Sequence, residues 1–259
     1  MNTVISVLIV YIFNSYQKDV YYVLAKYLLE HITDVETISI DTLAKECGTS
    51  STTINKFCRQ IGLDNYKHLK IMLSNTKNGR LDQIIKRYSK FDKEQFYNMI
   101  GVVDEREQFE ACIDRVVDLI HDANTIYMIG AVYPLSLTIN FVEDMILFGK
   151  NITFEQIGFK DNIESLSEND LLFLITITGR VLKLNKQYFL KIIKMKSKKI
   201  AISQNALIND LFSFDEFIQL INTNHNEIEN AIIIEILNYI KFVYFHKYTN
   251  FFIFNLEKI

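Results

Sequence analysis

The stretch IDTLAKECGTSSTTINKFCR, residues Ile40–Arg59, decides how the rest of the chain is read. It has the spacing of two short helices joined by a tight turn, a helix-turn-helix. Leu43 and Ala44 fall on the first helix, and Ala44 is small where the two helices would cross closely. Gly48 supplies the positive φ that a three- or four-residue helix–helix turn needs. Ser50 can cap the second helix by accepting from an N–H two or three residues on. Ile54, Phe57 and Cys58 turn inward, and Ile54 and Phe57 pack back onto Leu43 at i, i+3 spacing. Ser51, Thr52, Asn55, Lys56 and Arg59 are left outside. Small polar and basic side chains are what a recognition helix offers to a major groove.

The surrounding charge agrees. From Lys45 to Arg80 seven basic residues stand against two acidic ones, a local +5 in a chain of net −3. Local basicity inside an acidic protein is the footprint of phosphate contacts. On this reading Ser51, Thr52, Asn55 and Lys56 reach base edges, while Ser50, Arg59 and Lys67 hold phosphates.

The segment ISIDTLAKECGTSSTTINKFCRQIGLDNYKHLKIML resembles the N-terminal domain of the RpiR/MurR family of bacterial transcription regulators. Ser50, Thr53, Ile54, Phe57, Gly62, Tyr66, Leu69 and Lys70 keep that family's frame. Lys56 stands where the family usually has arginine, which keeps the charge but loses the planar bidentate fork. The resemblance implies a sequence-specific regulator that binds double-stranded DNA as a homodimer or tetramer.

Outward from the motif, 259 residues suffice for two domains. Val4–Phe13 (VISVLIVYIF) is apolar but about half the length a bilayer span needs, and no Lys or Arg precedes it. It reads as a buried helix, so no membrane role is expected and the location is taken as cytoplasmic. Asp19–His31 follows with a helical stripe of Val20, Val23, Leu24, Tyr27 and Leu28. After the motif, Asn65–Leu73 forms one more helix and Asn78-Gly79 punctuates the chain. The expected division is 1–78 as an all-α DNA-binding bundle, 79–104 as a helical linker and 105–259 as an α/β domain.

In that last part short apolar runs alternate with helical patterns. Strands are expected at Thr125–Ile129, Ile152–Ile157, Leu171–Ile177, Lys199–Ser203 and Glu216–Ile221. Helices are expected at Glu105–His121, Leu135–Phe148, Leu182–Met195, Leu207–Phe212 and Glu227–His246. The fold class is therefore an all-α helix-turn-helix bundle followed by a doubly wound, parallel, five-stranded α/β sheet. Leu171–Ile177 (LLFLITI) is the most buried strand, apolar on both faces.

This half resembles a SIS (sugar isomerase) domain over about Glu105–Tyr248. The resemblance implies a phosphosugar site at the carboxyl ends of the strands, where an open parallel sheet places its ligand. Its first loop normally reads Gly-x-Gly-x-Ser, but here it is Gly130-Ala131-Val132-Tyr133-Pro134. The loop after the third strand keeps Thr176, Thr178 and Gly179, adds the cation Arg180, and has Val181 in place of a threonine. About half the expected phosphate donors are gone. Thr176, Thr178, Gly179 and Arg180 are the ligand-binding set, for a sugar phosphate or another small anionic effector; a purely dimerising role is the alternative.

Cys47, Cys58 and Cys112 form no CxxC pair, and the five histidines show no metal-ligand spacing, so no metal or cofactor is expected. The rival reading is a SIS-fold phosphosugar isomerase. It needs a general base aimed into the pocket. Glu143 and Asp144 fall on the first helix and Asp161 and Glu164 after the second strand, none placed by a motif and each read as a surface residue, so the chain is read as a non-enzyme.

Overall fold

The computed structural model describes residues 3–101, 105–157 and 166–249. The chain forms two compact units, Met1–Lys90 with Val142–Gly149, and Phe91–Phe141 with Lys150–Ile259.

Unit one begins with five helices: α1 (Val4–Asn14), α2 (Val20–Glu30), α3 (Ile40–Glu46), α4 (Ser51–Gln60) and α5 (Tyr66–Tyr88). Each starts on a side chain suited to the task. Thr3, Asp19, Ser39, Ser50 and Asn65 each accept from the N–H three residues on, which satisfies one of the orphan donors of a first turn. α1 buries Ile5, Leu8, Ile9 and Ile12, as its apolar run requires. Among the described residues no helix is long and apolar enough to cross a membrane.

Two expectations shift here. α2 buries Tyr22, Leu24, Ala25, Leu28 and Leu29, whereas Val20 and Val23 remain 37% and 39% exposed. Ala25 and Leu29 pull the buried face about one residue round the helix. α5 does not stop at Leu73; it runs unbroken through Asn78-Gly79 to Tyr88. A lone glycine in a helix costs only about 1 kcal/mol relative to alanine, and the burial of Ile84 and Tyr88 beyond it outweighs that.

The chain continues with α6 (Lys93–Ile100), α7 (Arg106–Asp122), β1 (Thr125–Gly130), α8 (Val132–Ser136), α9 (Ile139–Leu147), β2 (Asn151–Gln156), β3 (Leu171–Ile175), α10 (Arg180–Leu184), α11 (Lys186–Ile193), β4 (Lys198–Ser203), α12 (Leu207–Phe212), β5 (Glu216–Gln219) and α13 (Asn226–Tyr244). A π-helical turn, Phe245–Thr249, closes α13. The sheet order is β2-β1-β3-β4-β5, and every pairing is parallel. Every residue of β3 is buried, as a central parallel strand demands. One face of the sheet packs Leu172, Leu174 and Ala201 against Leu182, Phe189 and Ile192.

The expected helix Leu135–Phe148 is two helices, parted where Thr138 Oγ1 donates back to Leu135 O at 2.7 Å. Leu182–Met195 likewise divides at Asn185, whose Nδ2 donates to Val181 O at 3.0 Å. Both breaks follow from side chains that bond their own backbone. Glu143 and Asp144, read from sequence as surface carboxylates, are 5% and 0% exposed. They lie in the Val142–Gly149 stretch of unit one, and Arg80 and Arg87 on α5 neutralise them. Asp161 and Glu164 lie outside the described residues.

Candidate nucleic-acid interface and ligand loops

Three helices build the first site. Gly48 takes φ +59° between α3 and α4, and Gly62 takes φ +87° between α4 and α5. No atom lies within 4 Å of a Cβ placed at Gly48, so backbone conformation alone calls for glycine there. Thr49 N donates to Ala44 O at 2.8 Å and Leu63 N to Cys58 O at 2.8 Å, closing both helix ends. Leu43, Ile54, Phe57 and Cys58 are buried between the helices. Tyr11 and Tyr21 pack on the Phe57 ring, with centroids 5.9 and 5.5 Å away.

The outward residues divide by task. Thr52, Lys56 and Arg59 are exposed. Ser50 spends its Oγ as the cap of α4, accepting from Thr53 N at 3.2 Å. Ser51 Oγ donates to Asp41 Oδ1 at 3.4 Å. Asn55 is half-buried, and its Oδ1 accepts from Tyr66 N at 3.1 Å, tying α4 to the first residue of α5. That bond occupies the acceptor a bidentate adenine contact would use.

The basic residues divide too. Lys70 Nζ donates to Glu36 O and Ile38 O at 2.9 and 3.1 Å, and Lys77 Nζ to Thr33 O at 3.2 Å. Both brace the segment between α2 and α3. Arg80 pairs with the carboxylates of α9. Lys45, Lys56, Arg59 and Lys67 are the cations of this stretch that stand exposed. Lys67 borders a shallow depression of about 310 Å³ lined also by Ile40, Asn55, Asn65, Tyr66 and Lys70.

The second site lies at the carboxyl ends of β1 and β3, neighbours at which the strand order reverses. Gly130 must lack a side chain, because a Cβ there would stand 2.6 Å from Ile175 O. Tyr133 is 60% exposed, and its hydroxyl accepts from Asn230 Nδ2 at 3.1 Å. Pro134 falls in the first turn of α8, where a missing N–H costs little.

After β3, Thr176 Oγ1 accepts from Gly179 N at 3.2 Å and Thr178 Oγ1 from Arg180 N at 3.3 Å. The loop thus satisfies the N–H groups an anion would seek. Gly179 holds φ +69°, and Arg180 is exposed at the start of α10. Sequence reasoning missed two partners. Ser203 Oγ donates to Ile177 O at 3.1 Å, and Asn205 Nδ2 to Thr178 O at 3.1 Å. These lace the loop after β4 to the loop after β3. A Ser-Gln-Asn run directly behind a strand is the signal that could have found them.

The cysteines are not activated nucleophiles. Burial pushes Cys47 and Cys58 up to about 11 and Cys112 up to about 12, away from the lowered pKa that makes a thiol reactive. Among the described residues no group of three His, Cys, Asp or Glu could hold a metal ion.

Comparison with known proteins bears on the first site. The family model for the helix-turn-helix domain of the rpiR family matches residues 22–78. An uncharacterized HTH-type transcriptional regulator of Caldanaerobacter subterraneus subsp. tengcongensis is 29% identical over 120 residues, 41% of each chain. The HTH-type transcriptional regulator HexR of Pseudomonas aeruginosa is 25% identical over 170 residues, 62% of this chain and 60% of that one. The matches thus span less than two thirds of these relatives. Among solved structures, Vibrio vulnificus NanR complexed with ManNAc-6P superposes with a TM-score of 0.46 at 16% identity, covering 95% of this chain and 93% of that one. The sugar isomerase domain of an RpiR transcription factor from Sphaerobacter thermophilus gives 0.46 at 13% identity, covering 64% and 89%. Residues 22–78, with Ser50 capping α4 and Gly48 at the turn, are a helix-turn-helix domain of the rpiR family.

Proposed function

We propose that the chain is a sequence-specific transcriptional regulator of the cytoplasm. α4 enters the major groove of duplex DNA, with Thr52 and Lys56 at base edges, helped by Ser51 and the Asn55 amide. Ser50, Arg59 and Lys67 hold phosphates. One observation carries this reading: α4 keeps an exposed, polar and cationic face inside a domain matched to the rpiR family. Residues 1–78 are the DNA-reading part, 79–104 the connector and 105–259 the SIS-like part. That last part pairs copies of the chain, as a dimer or tetramer, and sets two half-sites about one helical turn, or a multiple, apart. It also senses a sugar phosphate or other small anion at Thr176, Thr178, Gly179 and Arg180. An isomerase is disfavoured because the carboxylates of Glu143 and Asp144 are engaged in ion pairs with arginines.

In vitro selection of random duplexes on the full chain tests the reading. A recurring sequence is expected, with affinity that falls steeply as salt rises. No enriched sequence, or binding indifferent to salt, sinks it. A thermal-shift screen of sugar phosphates tests the second half, since a ligand that binds only the folded form raises Tm.

A further inference from the structure

Within unit one the chain segment Val142–Gly149 presents two adjacent buried carboxylates. Asp144 Oδ1 accepts from Arg80 Nε at 2.9 Å, and Arg87 NH1 stands 3.5 Å from its Oδ2. Glu143 Oε1 accepts from Thr3 Oγ1 at 2.6 Å and Ser6 Oγ at 2.8 Å, and Arg80 NH2 lies 3.6 Å from its Oε2. The cluster therefore grips the far half of α5 and the start of α1.

We propose that Glu143 and Asp144 are coupling residues, linking the recognition helix to the segment that follows the first ligand loop. This rests on the regulator reading above. Arg80 and Arg87 are seven residues apart on α5 and so share one face. At its other end α5 begins at Tyr66, whose N–H is held by Asn55 of α4. From Tyr66 to Arg80 the helix extends about 21 Å, so it acts as a stiff rod between α4 and the cluster. On the other side, only Ala131–Thr138 separate β1 from α9. A rearrangement at Ala131–Pro134, the start of α8, has the rest of α8 and α9 as its covalent route to Asp144. Removing one partner of a buried ion pair leaves an uncompensated charge, so the cluster favours discrete arrangements over graded ones. Such bistability lets two sites bias each other.

The linkage is reciprocal, so DNA can serve as the probe while the effector is unidentified. The experiment is hydrogen exchange by mass spectrometry on the full chain, with and without a duplex enriched by selection. In the wild type the duplex should slow exchange in Ser51–Gln60 and also, roughly tenfold, in Val142–Gly149. In Asp144→Asn the first effect should persist and the second vanish. Arg87→Lys, which keeps the charge on a half-exposed side chain, should reduce the second effect and covers the case where Asp144→Asn does not fold. Val142–Gly149 unchanged by a duplex that protects Ser51–Gln60 overturns the proposal alone, as does a response undiminished in both variants. No protection anywhere overturns the regulator reading with it.

Discussion

Replacing Asn55 separates two tasks that the sequence alone would merge. In the structure its Oδ1 accepts from Tyr66 N at 3.1 Å, while Asn65 separately caps α5 through His68 N at 3.0 Å. Asn55→Ala removes one acceptor from the first turn of α5 and leaves a half-buried donor to find water. A typical hydrogen bond contributes about 1 kcal/mol net, which corresponds to about fivefold faster exchange of the Tyr66–Lys70 amides through local opening. Asn55→Asp keeps an acceptor at the same place, and a negative charge near a helix N-terminus is favourable by about 0.3–1 kcal/mol. Exchange in Asn55→Asp should therefore match the wild type or be slower, although both donors of the amide are gone. DNA binding sorts the other way. If Asn55 also offers its amide to a base, Asn55→Asp weakens binding about as much as Asn55→Ala or more, since a carboxylate is repelled by phosphate. Exchange measured on the full chain with both variants decides it. Unchanged exchange in Asn55→Ala, or faster exchange in Asn55→Asp than in Asn55→Ala, would refute the assignment of Asn55 as the bracket between α4 and α5.

Other substitutions probe separate claims. Lys67→Ala should weaken binding about equally on all duplexes and lower the slope of log affinity against log salt by about one, read by titration at several salt concentrations. Gly130→Ala brings a Cβ to 2.6 Å from Ile175 O and should cost about 1–3 kcal/mol as overpacking does. Gly48→Ala meets no atom within 4 Å and should cost only the left-handed strain of about 1–2 kcal/mol; urea midpoints compare the two. Hydrogen bonds from Tyr97 and Lys93 hold the Glu110 carboxyl below its ordinary range. That stability is present above the unfolded pKa and lost as pH falls through the lower folded one. Glu110→Gln should therefore flatten the acid limb of stability against pH.

Where the deciding contact is local, the sequence is legible. Ser50, Asn65 and Asp19 announce helix starts through bonds three residues long. Gly48 and Gly62 mark turns because a positive φ is a property of one residue. β3 shows because a central parallel strand must be apolar on both faces. Reading fails where partners lie far apart in the chain. Asp144 meets Arg80 across 64 positions and Arg87 across 57, and no periodicity encodes such a pairing. A carboxylate on a helix then reads as solvated, although this one is fully buried. Asn78-Gly79 fails for a related reason. Glycine raises the cost of a helix locally, and only the distant packing of Ile84 and Tyr88 shows that the cost is met.

The proposed ligand loops sit between these cases. Their residue types can be read from the sequence, but the hydrogen bonds they make within their own turn cannot. Thr176 and Thr178 keep the hydroxyls of a phosphate loop, yet both accept from N–H groups of their own turn. An anion must replace these bonds before it gains any, so the N–H groups of Gly179 and Arg180 contribute little net affinity. The Arg180 side chain is exposed, and its guanidinium can receive an anion bidentately without that exchange. Affinity for an effector should accordingly depend on the Arg180 side chain far more than on either threonine. A thermal-shift series in which Arg180→Ala and Thr178→Val lose the response to a binding sugar phosphate equally would refute that ordering.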